Sequence, residues 1–235
     1  MRSSLTAALL LAALSAPGGV LAQVGHLPDR SPYKDLRIKQ AVSVMTGYLT
    51  GGRGTAGVGP SGGSLLGVRW DITVGAPTVA FLSIARADLV RNLVNPTEPE
   101  ATRFFGTARQ QVFIVDGGFD LILTGRKTWH GFAPYFGASL GAALGGSVPE
   151  DSVFRFNSKF QVGPAIGVRW HPTRRFHLRF ETRDILWRIN YPDIFFATPV
   201  AAPDDPPLLD PVIQKSAEWT HHFVLVFSVA YALRL

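Results

Sequence analysis

The sequence contains no cysteine. Disulfides, thiolate nucleophiles and cysteine-ligated metals are therefore excluded. Charge is scarce as well: 17% of the 235 residues are Asp, Glu, Lys or Arg, against 46% hydrophobic. The balance is basic, at +6. No run of Lys or Arg exceeds two residues, however, and no recognition-helix pattern is present, so nucleic acid is not an expected partner. Long apolar runs are missing too. Beyond Ala22 none approaches the roughly 20 residues that a membrane-spanning helix requires, so no helical anchor is expected. The glycine-rich stretch 51–63 lacks the Gly-Lys-Ser/Thr ending and the following helix of a phosphate-binding loop.

Turn residues and aromatics are abundant, with 24 Gly, 17 Pro and 16 Phe. Residues 1–22 read as a cleavable secretory signal: Arg2, an apolar core from Leu5 to Leu14, and Val20-Leu21-Ala22 before Gln23. Residues 23–35 lack alternation and read as an irregular periplasmic lead-in. From 36 to 235 the pattern has a period of two, which marks strands with one apolar face. It is clearest in a hairpin over 157–191. There Phe160, Val162, Ile166, Val168 and Trp170 share one face with Phe176, Leu178 and Phe180, and the turn His171-Pro172-Thr173-Arg174 separates the two halves.

The opposite face of this hairpin carries Gly163, Ala165, Gly167, Arg169, Arg179, Glu181 and Arg183. A water-facing surface would be rich in Lys, Glu and Thr. Small residues and a few charges suit a crowded interior, where the charges must pair. The bulky apolar side chains then face outward, which is stable only in lipid, and strands in lipid must close into a barrel. The competing reading is a soluble barrel with the faces reversed.

Eight strands are predicted, at about 36–50, 64–75, 78–89, 109–124, 132–145 and 220–235 together with the two of the hairpin. The stretch 78–89 does not alternate, and its faces are not assignable. The intervening connections run long, short, long, short, long, short, long. Long extracellular loops over 51–63, 90–108, 146–157 and 191–219, with short periplasmic turns, are the pattern of an up-and-down transmembrane barrel. Gly67-Val68-Arg69-Trp70 recurs as Gly167-Val168-Arg169-Trp170 on two strands that descend toward the periplasm. Trp70 and Trp170 are expected at the periplasmic membrane interface, and Tyr48 and Trp187 are counted as interface aromatics as well.

In these features the chain resembles the small outer-membrane β-barrels, such as the membrane domain of outer membrane protein A and outer membrane protein W. The resemblance covers 36–235 and lies in pattern rather than motif. It implies an all-β, eight-stranded antiparallel barrel in the outer membrane of a Gram-negative-type bacterium. It further implies a monomer that contacts outer-membrane lipid and lipopolysaccharide and is assembled by the barrel-assembly machinery. Such chains usually end in Phe or Trp, whereas this one ends in Leu235; Phe227, Tyr231 and Leu233 keep the alternating apolar signal.

An eight-stranded barrel is only wide enough for side chains to fill it. Lys39, Arg69, Asp71, Asp116, Asp120, Lys159, Arg169, Arg179, Glu181 and Arg183 are therefore expected to form an interior salt-bridge network. No catalytic, cofactor-binding or metal-binding residue is expected. His221 and His222 are adjacent, so on a strand they point to opposite faces and cannot share a metal. No His-x-Ser pair on an assigned strand offers a nucleophile beside a base. The expected function is a non-enzymatic barrel with a structural or surface-interaction role and a packed polar interior. A narrow pore or transporter for small or hydrophobic solutes is the alternative, followed by a lipid-modifying enzyme.

Overall fold

The computed structural model describes residues 31–146 and 153–234. The signal expected over 1–22 and the terminal Leu235 lie outside them, as does most of the lead-in over 23–35. The first described strand, β1 (Tyr33–Asp35), is short, and so is β6 (Lys127–Trp129), with which it pairs. The end of the lead-in is thus extended chain rather than irregular. The other strands are β2 (Gln40–Gly51), β3 (Ser61–Gly75), β4 (Thr78–Val94), β5 (Phe104–Ile122), β7 (Phe132–Gly145), β8 (Ser158–Trp170), β9 (Phe176–Asn190) and β10 (Ala217–Arg234). Each of these eight pairs antiparallel with the next, and β10 returns to β2 with Leu225 opposite Tyr48. The ring closes, with the β8–β9 ladder interrupted at Gly163 and Pro164 and ending at Gln161 opposite Trp187. The connections 52–60, 95–103 and 191–216, with the described ends of the link between β7 and β8, emerge at one end, and the shorter 76–77, 123–131 and 171–175 at the other.

Alternation sets what each wall presents. Leu66, Val68, Phe113, Phe119, Phe136, Leu140, Phe180 and Phe223 all point outward and are exposed, and Leu225 is 67% exposed. An apolar band of this extent encircling a closed ring is the lipid-facing surface of a transmembrane barrel. The band ends in an aromatic rim at the short-turn end, where Phe132 stacks on Trp170 at 6.1 Å and Phe176 meets Tyr231 edge-on at 5.1 Å. At the other end the β4–β5 hairpin rises out of the band. Its outward face changes from Leu82 and Ile84 to the exposed pair Arg86–Asp88, 3.0 Å apart. These two strands reach 94 and begin at 104, so the loop predicted over 90–108 is reduced to 95–103.

The strand whose faces were not assignable, β4, turns Val79, Phe81, Ser83, Ala85, Ala87 and Leu89 inward. It hides its alternation because both of its faces are apolar. The lumen as a whole has two levels. Its half near the short turns is polar. Its half near the long loops is apolar, filled by Leu49, Leu89, Val112, Ile114, Ile185, Trp187 and Ile189. Phe154, Phe156, Phe195 and Leu209 from the long connections pack down onto these residues. The expected packed polar interior is therefore found in one half of the lumen and corrected for the other. Where the long connections fold into the mouth, they bury aromatic side chains, and those require apolar partners.

Candidate functional site

The polar level is built by strand parity. Arg69 and Asp71 on β3, Asp116 and Asp120 on β5, Arg169 on β8, and Arg179, Glu181 and Arg183 on β9 all occupy inward positions and are buried. Arg69 lies at the centre. Its Nε is 2.9 Å from Asp71 Oδ1, its Nη2 2.5 Å from Asp120 Oδ2 and its Nη1 3.4 Å from Glu181 Oε2. Arg169 Nη2 shares Asp120 Oδ2 at 2.5 Å, and Arg179 Nη2 reaches Asp71 Oδ2 at 2.5 Å. Arg183 bridges Asp116 at 2.5 Å and Glu181 at 2.8 Å. Four guanidiniums thus face four carboxylates. Each buried ion carries a desolvation cost of several kcal/mol unless paired, so an equal count of the two signs is what permits so many charges in one lumen.

Neutral groups complete the arrangement. The Tyr135 hydroxyl donates to Glu181 Oε2 at 2.6 Å, Gln161 Nε2 donates to Asp116 Oδ2 at 3.2 Å, and Ser83 donates to Asp116 Oδ1. The Arg69 guanidinium lies 3.5 Å from the centre of the Phe81 ring, a cation–π contact shielded from water. Gly167 makes room for Tyr135, since a Cβ there would fall 2.5 Å from the phenol ring. The cluster spans the bore from β3 to β5 on one side and to β9 on the other.

Two of the ten residues expected in this network stand apart from it. Lys39 is exposed at the short-turn rim, one residue before the β2 ladder begins at Gln40. Lys159 points inward, but at the apolar level near the top of β8, out of reach of the four carboxylates. Of the interface aromatics, Trp70, Trp170 and Tyr48 are on the outer wall. Trp187 is not, and its assignment is corrected. It shares its parity on β9 with Arg183 and Arg179, so the alternation that buries them buries it. It packs in the upper lumen at 5.3 Å from Phe156 and 4.0 Å from His222.

The two adjacent histidines do diverge. His222 is inside, 2.8 Å from Thr220 Oγ1, whereas His221 Nδ1 lies 2.7 Å from Asp184 Oδ2 on the outer wall. Among the described residues no group of three His, Asp or Glu is placed to hold a metal. Below the cluster, at the short-turn mouth, a cavity of about 50 Å³ is lined by Asp71, Arg169, His171 and His177. Neither ring nitrogen of His177 has a protein partner, and the cavity is large enough for a water or two to serve them.

The long connections form a cap tied together by hydrogen bonds. The Tyr191 hydroxyl donates to Glu218, which also accepts from the Thr55 N–H at 2.5 Å and the Thr55 hydroxyl at 3.0 Å. Burial and the carboxylate beside it push the Tyr191 phenol up from its ordinary pKa. Arg91 Nη1 donates to the Phe154 carbonyl at 2.9 Å, and the Glu100 N–H donates to Asp205 at 2.8 Å. Sequence reasoning does not reach these contacts, because they join loop positions 27 to 163 residues apart with no periodic signal.

No protein-family model matches the sequence, and comparison with curated proteins finds no relative. Solved structures do match. Neisserial surface protein A aligns with a TM-score of 0.53 at 11% identity, over 83% of this chain and 97% of that one. The N-terminal β-barrel domain of Pseudomonas aeruginosa OprF aligns at 0.39 and 12% identity, over 82% and 99%. The attachment invasion locus protein Ail of Yersinia pestis, in complex with the heparin analogue sucrose octasulfate, aligns at 0.37 and 14%, over 83% and 100%. The fold is that of the small outer-membrane β-barrels.

Proposed function

We propose that the protein is a closed, monomeric, non-enzymatic outer-membrane barrel whose role is exercised at the cell surface by its ordered extracellular cap. Outer-membrane lipid and lipopolysaccharide surround it, and the barrel-assembly machinery inserts it. The observation that carries this reading is the filling of the lumen at both levels. Charge pairs cross the bore below, and Trp187, Phe156, Leu49 and Ile189 pack it above. Such an interior offers no wide water path for a solute. Planar-bilayer recording of the refolded protein tests the reading. The expected result is no steady conductance above that of the bare membrane; a stable ohmic step on insertion would overturn it in favour of a pore.

A further inference from the structure

The short-turn mouth holds buried polar atoms that the ion network does not use. His177 shares the parity of Arg179 on β9, so its ring turns into the lumen, where it is 1% exposed. His171, at the start of the 171–175 connection, meets it with ring centres 4.9 Å apart. Neither His177 ring nitrogen has a hydrogen-bond partner among the described residues, and His171 Nε2 has none either. Arg169 reaches Asp120 through Nη2, yet its Nε is also buried without a partner. Buried polar atoms are ordinarily satisfied, so four unsatisfied nitrogens on three neighbouring side chains call for a missing occupant.

All three side chains line the one cavity of about 50 Å³. A single water needs roughly 10–15 Å³ of such space, so the cavity takes a group of about three or four heavy atoms. Much of its remaining lining is apolar, from Leu36, Pro77, Val79 and Ile122. Val79 and Ile122 belong to a small apolar cluster with Ala133 and Tyr135. Lys39 and Arg126, both exposed, complete the lining on its polar side.

The lining selects the sign of the occupant. Three cations, Lys39, Arg126 and Arg169, face a single carboxylate, Asp71. Both oxygens of Asp71 are already held, by Arg69 at 2.9 Å and by Arg179 at 2.5 Å. A metal ion would meet this positive surround with two imidazoles and no free carboxylate. An anion meets donors instead: the Arg169 Nε–H and one N–H from each neutral imidazole. Hydrogen bonds from such donors to a carboxylate are charge-assisted and stronger than those to water. The second His177 nitrogen is left to a water, and the apolar lining suits a short alkyl end.

We propose that this cavity binds a small monocarboxylate of the size of acetate. Its carboxylate accepts from Arg169 Nε and the rings of His171 and His177, and its methyl group lies toward Val79 and Ile122. The site is at the opposite end of the barrel from the cap, so it is independent of any role the cap has at the cell surface.

The test titrates sodium acetate into the refolded protein in detergent micelles, labelled with 15N-histidine, with a bulky sulfonate as the only other anion. The ring signals of His171 and His177 are expected to shift together along one saturating curve, half-complete in the millimolar range. His222, buried in the upper lumen, is the internal control and is expected not to move. The absence of a saturating shift up to about 100 mM, or an equal shift of His222, would overturn the proposal. His177→Phe keeps an aromatic ring but removes its donor, and is expected to bind acetate roughly tenfold more weakly, read on His171. Wild-type binding by that variant would overturn the proposal. If His177→Phe loses its heat-resistant gel band, His171→Phe is read on His177, with roughly threefold weaker binding expected and wild-type binding again overturning the proposal. Chloride that saturates the same signals at the acetate concentration would overturn the carboxylate assignment, since the alkyl end would then contribute nothing. Zinc ion that moves them where acetate does not would overturn it in favour of a metal.

Discussion

Replacing Glu181 by Gln tests the charge balance of the lumen more directly than any other single change. Glu181 is 5% exposed and accepts from the Tyr135 hydroxyl at 2.6 Å, Arg183 Nη2 at 2.8 Å and Arg69 Nη1 at 3.4 Å. Gln preserves the shape but leaves four guanidiniums against three carboxylates. Its NH2 group also adds donors where Glu181 met only donors, so at least one Arg or Tyr hydrogen bond is lost. Removing one partner from a buried charge cluster costs about 3–5 kcal/mol, because a charge is left uncompensated in a low dielectric. Urea unfolding of the refolded barrel in lipid vesicles measures this, with the heat-resistant gel band as a second readout. A double variant, Glu181→Gln with Arg183→Gln, restores the balance and is expected to lose less than the sum of the two single changes. A loss below about 1 kcal/mol for Glu181→Gln, with strict additivity in the double variant, would refute the idea that balance rather than mere packing holds the polar level.

Two further outcomes test the orientation. Phe136, outward at mid-β7 and exposed to lipid, is expected to cost about 2–4 kcal/mol when replaced by Arg, measured by the same vesicle unfolding. Single cysteines at Pro203 and Val212, both exposed on the 191–216 connection, should react with a membrane-impermeant thiol reagent on intact cells, and one at Thr173 in the opposite turn should not. Labelling at Thr173 alone would invert the assignment.

Sequence alternation carried the walls of the barrel because lipid and lumen demand opposite things of neighbouring residues. Leu66 against Gly67, or Phe180 against Arg179, cannot be exchanged without placing a charge in hydrocarbon. The signal failed where that contrast vanishes. On β4 the lumen-facing Phe81, Ala85 and Leu89 are as apolar as the outward Leu82 and Ile84, because Phe81 floors an arginine and the others belong to the apolar level. Trp187 misled for a related reason. Its indole was counted by residue type as an interface residue, while its parity placed it with Arg183. Eight of the network's residues could be named from parity, but their partners could not, because pairs such as Arg179 with Asp71 cross the lumen between strands that are not neighbours. Lys39 and Lys159 share the parity of the network without its depth, which alternation alone does not encode.

The ion pairs across the lumen also impose an order on assembly. Arg183 reaches Asp116, and Arg179 reaches Asp71, over strands that stand three positions apart around the ring. An open sheet, however well hydrogen-bonded, holds these partners apart and leaves every one of the eight charges in water. Arg69 with Asp71 and Arg183 with Glu181 can pair within their own strands, but the pairs that cross the lumen form only when β10 meets β2, so their gain arrives together at the end. Closure of the ring is therefore concerted rather than gradual, and a barrel with one seam ajar at the level of the cluster has no stable arrangement of its interior to rest in.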